Sequence, residues 1–311
     1  MTKIICGVDV SSEYLDARIG RDGAFLRVEN SAQGIAELAA VCRAQNVELV
    51  AMEATGGYEK LAFGLLWAQA IPCAILNPRA VRRFAEGMGI IEKTDRLDAG
   101  VIAWHAEVKH ICPQEPASAT QQHLRALVTR LRQITETMVV QKNQRHLVDD
   151  DYVRASFEEV LVLLRQQAKA FEAKIAQLIQ DDPLWRALGE AFRSIKGVAA
   201  RTVARLMAEL PEIGLISHKA VTKLVGYAPI ARDSGKFKGK RPIRGGRSTV
   251  RSILLVVADL VRRHNDDFAA FHKRLREAGK PKKVVRVALA HKLLVRLNAK
   301  ARDVRKSIVP A

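Results

Sequence analysis

Paired cysteines, long apolar runs and nucleotide-binding glycine loops are all missing from this sequence. The four cysteines, Cys6, Cys42, Cys73 and Cys112, are widely spaced and form no CxxC pair, which argues against a zinc knuckle. They sit within apolar stretches and read as small core residues in a reducing compartment. Asp9 interrupts the only early apolar run, and the longest later one, Ile253–Val257, is far too short to cross a bilayer, so neither a signal peptide nor a membrane span is read and a cytoplasmic protein is expected. No GxGxxG or GxxxxGK[ST] occurs to support nucleotide binding. Aromatics are only 5% of the 311 residues, while 48% are hydrophobic; that balance suits a helix-rich globular chain rather than a disordered one.

Acidic residues are scarce in one region only. Residues 1–110 carry 12 basic and 14 acidic side chains, and residues 111–190 carry 10 and 11. Residues 191–311 carry 29 and 8, a net of +21 within a chain whose total is +18. A polyanionic partner for the last two fifths follows. An anionic membrane surface fits less well, because no amphipathic helix offers an aromatic apolar face.

Hydrophobic periodicity divides the chain further. KIICGVDV (3–10), YLDARIG (14–20) and AFLRVEN (24–30) read as three antiparallel strands. A helix over 32–45 follows, with Ser31 as its N-cap. Then come a strand over 47–54, a helix over 57–70, a strand over 71–76, and helices over 78–87 and 95–108. The order β-β-β-α-β-α-β-α is that of ribonuclease-H-like nucleases; a doubly wound dinucleotide fold starts β-α-β. In 121–180, Leu124, Leu127, Leu131, Ile134 and Met138, then Leu161, Leu164, Ala168, Phe171, Ile175 and Leu178, predict two long amphipathic helices broken at DDDY (149–152). Periodicity alone leaves open whether they pack within one chain or join two. From 191 onward short helices are expected around an irregular stretch, PIARDSGKFKGKRPIRGGRS (229–248), followed by three helices with Leu254, Val257, Leu260, Phe268, Phe271, Val284, Val287, Leu293 and Leu297 as apolar markers. The boundaries predicted are a domain over 1–115, a helical connector over 116–190 and a basic, mainly α-helical domain over 191–311.

Asp9 and Glu53 fall at matching ends of the first and fourth strands. A carboxylate in a buried strand is costly unless it is paired or binds a cation. Asp95 and Asp98, three apart at a helix start, share one face. Four carboxylates at one pocket call for a hard divalent cation, Mg²⁺ or Mn²⁺, and a pair of such ions suits phosphodiester chemistry. Each residue also has a plainer reading: Asp9 capping a turn with Ser11, Glu53 pairing with a core arginine, Asp95 capping its helix. Ser234, in ARDSGKFKG, lies among cations that could neutralise a phosphate it attacked, yet Ser-Gly is also ordinary turn chemistry.

The motifs GVDVS (7–11), MEATGGY (52–58) and KTDRLDA (93–99), with IKGVAARTVARLMAEL (195–210) and LVGYAPIARDSGKFKGKRPIRGGRSTVR (224–251), resemble those of the DEDD transposases of bacterial insertion sequences, the one-hundred-and-ten family, which includes a pilin-gene invertase. The resemblance spans nearly the whole chain in the family's order, departing at IRGGRSTVR, where many members have a Lys-x-Gly-Asn type of sequence. It implies a RuvC-like N-terminal domain whose Asp9, Glu53, Asp95 and Asp98 bind Mg²⁺, and a C-terminal transposase domain whose Ser234 forms a covalent phosphoserine link to DNA. It further implies donor and target DNA as substrates, a structured noncoding guide RNA, and a homo-oligomer, dimer or tetramer, that unites tetrad and serine from different protomers. Arg232, Lys236, Lys238, Lys240, Arg241, Arg244, Arg247 and Arg251 are the candidate nucleic-acid contacts. The rival readings are a structure-selective nuclease of the Holliday-junction type, which needs only the tetrad and a basic surface, and a non-catalytic nucleic-acid-binding protein. The charge distribution predicts that a fragment of residues 191–311 binds nucleic acid with log K falling steeply against log salt, about 0.9 per phosphate neutralised. A salt titration checks this, and a folded fragment that binds neither RNA nor DNA at low salt overturns it.

Overall fold

Strand-forming, half-buried patterns open the chain and long helical periodicities close it, and the structure follows that division. It is a computed structural model describing residues 3–92, 95–231, 233–235 and 237–308, without the side chains of Asp95 and Arg96. By its contacts the chain forms two compact units, Met1–Ala117 and Ser118–Ala311.

In the first unit β1 (Ile5–Val10), β2 (Tyr14–Ile19) and β3 (Phe25–Glu29) form an antiparallel meander. The chain then alternates through α1 (Ala32–Ala44), β4 (Leu49–Glu53), α2 (Glu59–Ala68), β5 (Cys73–Leu76), α3 (Pro78–Gly87) and α4 (Asp95–Val108). Ser31 caps α1 as expected, its hydroxyl accepting from Gly34 N. The sheet order is β3-β2-β1-β4-β5, with β4 parallel to both β1 and β5. This mixed sheet is the ribonuclease-H-like, RuvC-like arrangement that the order of elements predicts.

Side-chain alternation along β1 and β4 sends successive residues to opposite faces. Cys6, Val8, Val10, Val50 and Met52 pack under α1 and α2. Ile5, Leu49 and Ala51 pack under α3 and α4 with Val81, Ala85, Ile102 and Ala103. Cys6, Cys42 and Cys73 are buried as expected, but Cys112 is exposed, because it follows the end of α4 rather than lying inside an element.

The second unit is mainly helical: α5 (Ala119–His146), α6 (Asp151–Asp181), α7 (Pro183–Arg193), α8 (Ala200–Glu209), α9 (His218–Val225), the short strands β6 (Asp233–Ser234) and β7 (Phe237–Lys238), then α10 (Ser248–His264), α11 (Asp266–Glu277) and α12 (Lys282–Ile308). α5 and α6 are the two long helices expected, turning at DDDY, where Asp150 caps α6 by accepting from Val153 N at 2.9 Å. Leu124, Val128, Leu131 and Ile134 of α5 and Ala168 and Ile175 of α6 share one core with Phe192, Leu206, Leu254, Phe268 and Leu293. The helices expected to be a connector therefore build the same core as the basic region, and α7 spans the expected boundary at 190. The fragment suited to the salt titration is accordingly 118–311. Two expected apolar markers are out of phase: Leu260 and Val284 are exposed, and their neighbours Val261 and Val285 are buried. One residue is a 100° rotation on a helix, enough to exchange core for solvent.

Among the described residues no helix is long and apolar enough to cross a membrane. A Cβ added at Gly7 of β1 would lie 2.0 Å from Ala99 O and 2.5 Å from Ala103 N of α4. Gly7→Ala is expected to destabilise the first unit by about 3 kcal/mol, the upper end of overpacking costs, because the obstacle is backbone. Denaturant unfolding checks this, and an unchanged midpoint would refute the close approach.

Candidate functional site

Register brings the first two carboxylates together. Val8 pairs with Met52 across the parallel β1/β4 ladder, so the next residues along both strands are Asp9 and Glu53. Both lie on the face that carries α3 and α4, since they continue the Ile5–Gly7 and Leu49–Ala51 series. α4 runs antiparallel to β1. Gly7 meets Ala99 and Ala103, while Trp104 stacks under Arg21, which lies beyond the Gly20 N to Ile5 O bond at the start of β1. After α4 the chain reaches the start of β5, where Gln114 N donates to Cys73 O at 2.8 Å. The beginning of α4, with Asp95 and Asp98, is therefore at the C-terminal end of β1 and β4, the end that carries Asp9 and Glu53.

Asp9, Glu53 and Asp98 are half-buried and each has a partner within the fold; Asp95 opens α4, and its side chain lies outside the described residues. The donor chemistry, carboxylate oxygens gathered at one sheet end, suits a hard divalent cation. Among the described residues no three His, Cys, Asp or Glu side chains approach closely enough to hold a metal ion. Ser11 does not take Asp9 into a turn: its hydroxyl donates to Tyr14 O at 3.0 Å and accepts from Tyr14 N at 2.9 Å.

Two acidic neighbours escaped sequence reasoning. Asp16 is the cross-strand partner of Asp9, is buried, and receives two hydrogen bonds from Arg27, its partner on β3, at 2.7 and 2.8 Å. The row Arg27, Asp16, Asp9, Glu53 thus crosses the sheet at one level. Glu59, also buried, accepts from Thr55 N at 3.0 Å and Gly57 N at 2.9 Å and so fixes the turn that follows Glu53. Gly56 and Gly57 both have positive φ there, which the double glycine of MEATGGY permits. The signal for Asp16 was another acidic residue inside a strand pattern, and for Glu59 an acid at a helix start after a glycine turn.

In the second unit the stretch expected to be irregular contains a hairpin. Asp233 pairs with Lys238 and Ser234 with Phe237, and a bridge from Pro229 to Ile243 closes its base. Gly235, at φ +55°, opens the turn beside Ser234, which is exposed. Arg232 and Lys236 lie outside the described residues. Lys238, Lys240 and Arg244 are exposed. The other three predicted contacts have internal roles that sequence reasoning did not foresee. Arg241 bonds Asp233 at 2.9 Å across the hairpin. Arg247 donates to Glu212 at 2.6 Å and to Glu209 O at 2.9 Å. Arg251 donates to Val225 O at 3.2 Å and to Gly245 O. The fold thus uses these cations to pin the hairpin and its flank, whatever else they touch.

Burial pushes the Glu212 carboxyl up, but the hydrogen bond and charge of Arg247 outweigh it and the net direction is down from the ordinary 4.5. A carboxyl lowered in the folded chain contributes stability above its unfolded pKa and loses it as pH falls through the folded value. The stability difference between wild type and Glu212→Gln is therefore expected to shrink as pH drops below 4.5. Urea unfolding across that range checks it, and a pH-independent difference would refute the linkage.

Residues 6–150 match the family model of the DEDD IS110 type described as Transposase, and residues 189–273 match that of the Transposase IS116/IS110/IS902 family. The chain is 26% identical over 307 residues to the Pilin gene-inverting protein of Moraxella lacunata, with 94% of each chain covered. The Pilin gene-inverting protein of Moraxella bovis matches at the same identity and coverage. Among solved structures, Thermus thermophilus RuvC is similar over 36% of this chain and 99% of its own, at 16% identity and a TM-score of 0.27.

Proposed function

This chain belongs to the IS110 family of DEDD transposases and is a DNA recombinase, and on that premise we propose that it cuts and rejoins DNA strands with Ser234 as nucleophile and a Mg²⁺- or Mn²⁺-binding tetrad of Asp9, Glu53, Asp95 and Asp98. The observation that carries the reading is the meeting of Asp9, Glu53 and the start of α4 at one end of one sheet face. Divalent metal held by those four carboxylates would polarise the scissile phosphate and favour loss of the serine proton. Like-charged carboxylates spread apart when nothing sits between them, which suits a set that closes when loaded.

The remaining steps belong to the chain itself. The Ser234 oxygen attacks phosphorus, the bond to one DNA strand breaks, and the protein is left joined to the other strand as a phosphoserine. A second DNA hydroxyl then reverses the exchange and completes strand transfer. A serine hydroxyl is a poor nucleophile at neutral pH, so charge neutralisation on the phosphate matters; Lys238, and in sequence Arg232 and Lys236, supply it. The exposed position beside a glycine turn lets the backbone approach DNA closely. Asp16 and Glu59 act on position: the first keeps a paired charge beside Asp9, the second holds the loop after Glu53.

In this reading residues 1–115 bind the metal, 191–311 carry the nucleophile and 116–190 support assembly. A structured noncoding RNA guides the choice of donor and target, and a dimer or tetramer supplies tetrad and serine from different protomers. The basic excess of residues 191–311 supports two polyanionic partners. Incubation with substrate DNA and Mg²⁺, followed by denaturation, is expected to give a protein–DNA adduct in wild type. Ser234→Ala should yield none while still binding DNA, and Asp9→Asn should abolish strand exchange. Normal recombination by Ser234→Ala, an adduct at Ser248 or Ser252, or activity in excess EDTA would each defeat the proposal.

A further inference from the structure

The first unit carries a concentration of positive charge that the tetrad does not use. Residues 1–110 hold 12 basic side chains against 14 acidic, yet Arg79, Arg82 and Arg83 fall within five residues. They line a groove of about 340 Å³ with Pro78 and Glu86 on α3. Their place relative to the carboxylates follows from the strands. Glu53 pairs with Leu76, the last residue of β5, and Asn77 caps α3 immediately afterwards, its side chain accepting from Arg79 N at 2.9 Å. Phe84, further along α3, meets Trp104 and His105 of α4 at ring distances of 4.9 and 5.2 Å. Trp104 belongs to the far end of the sheet, so the first turns of α3 lie at the carboxylate end.

The three arginines are not equivalent. Arg82 is tied down, with Nε on Glu86 at 3.2 Å and Nη2 on Ile91 O at 3.2 Å. It therefore anchors the returning segment that leads to Lys93 and Asp95. Arg79 and Arg83 are exposed and four apart, on one helix face with a rise of about 6 Å between them. That spacing is close to the separation of neighbouring phosphates along a nucleic-acid strand. At the same sheet end, after the turn that Glu59 fixes, the ring of Tyr58 is 54% exposed. Its main chain is steadied by Asn30 Nδ2, which donates to Tyr58 O at 3.3 Å. Phosphate-binding cations and an exposed aromatic at one edge form the combination that single-stranded nucleic acid uses.

We propose that the first unit has its own single-stranded DNA site along the carboxylate end of its sheet, with consecutive phosphates on Arg79 and Arg83 and a base stacked on Tyr58. This rests on the transposase reading for the source of the strand. The site would present a melted DNA strand to the carboxylates independently of the basic second unit.

The test uses the full chain and equilibrium binding without turnover, in Ca²⁺, to fluorescently labelled single-stranded DNA, duplex DNA and RNA of equal length. Arg79→Gln/Arg83→Gln is expected to lower the slope of log K against log salt on single-stranded DNA by about 1.4, two phosphates at roughly 0.7 each. Arg79→Lys/Arg83→Lys should keep the slope. Tyr58→Ala should weaken single-stranded DNA binding at least about fivefold, and Tyr58→Phe should not. An unchanged slope in the glutamine variant overturns the proposal. So does a loss confined to RNA, which would assign the groove to the guide, or an equal loss on duplex. Because no chemistry is read, absence of a Ser234 adduct would defeat the transposase mechanism and leave this measurement standing.

Discussion

The approach of α4 to β1 at Gly7 is the constraint on which the first unit turns. With no side chain at that position, helix backbone sits directly on strand backbone, at the level of Ala99 and Ala103. A rigid helix clamped there cannot slide, so the height of its first turn above the end of β1 is set. Asp98 and the start of KTDRLDA are thereby delivered to Asp9. The register of β1 against β4 then sets Glu53 beside Asp9 by backbone hydrogen bonds alone. Positions that carry chemistry are thus determined by positions that carry none. Alanines on α4 and a glycine on β1 do the aligning, while the carboxylates at the rim remain free to answer to charge.

Charge is handled differently in the two units. In the first, a buried acid is neutralised locally: Asp16 is met by Arg27 from the next strand, so the row through Asp9 gains an anion without an unpaired one. In the second, net positive charge is large, and part of it is committed to the fold. Arg247 and Arg251 grip the backbone around α9 and the glycine pair that precedes α10. Gly246 is held there because a Cβ would come within 2.5 Å of Gly226 N. Arginine suits this work, since its planar fork can hold two acceptors at once and still keep its charge. A count of cations therefore overstates the number that face a partner.

Much of this was legible beforehand. Strand alternation, helix spacing and caps specify the order of the first unit, and α3 and α4 have the bounds that periodicity predicts, because one-sided burial leaves a clear pattern. Asp9 and Glu53 stood out as charges at strand ends. Asp16 did not, because YLDARIG alternates well enough that an acid on its buried face looks like part of the polar face. The β6–β7 hairpin was hidden for another reason: its strands are two residues long and its register rests on Pro229 and Ile243 at the base, a pairing with no periodic signature. The roles of Arg247 and Arg251 are tertiary, set by α9 and Glu212, which lie dozens of residues away. α7 was signposted by Asp182 and Pro183, a cap followed by a first-turn proline, within what composition made a boundary.

The α5–α6 hairpin is rooted in the core of the second unit near one end only. Its buried residues on α5 stop at Ile134, while Val139, Val140, Leu147, Tyr152 and Val153 near the turn are exposed. At 31 residues, α6 is roughly 46 Å long. Mechanically it is a cantilever: held at the root, unsupported at the tip, and stiff along its length through continuous hydrogen bonding. A tilt of about 5° at the root would carry the tip roughly 4 Å by the geometry of a rigid helix, so rearrangements too small to disturb packing around Phe192 become displacements as large as a hydrogen-bonded contact at the far end.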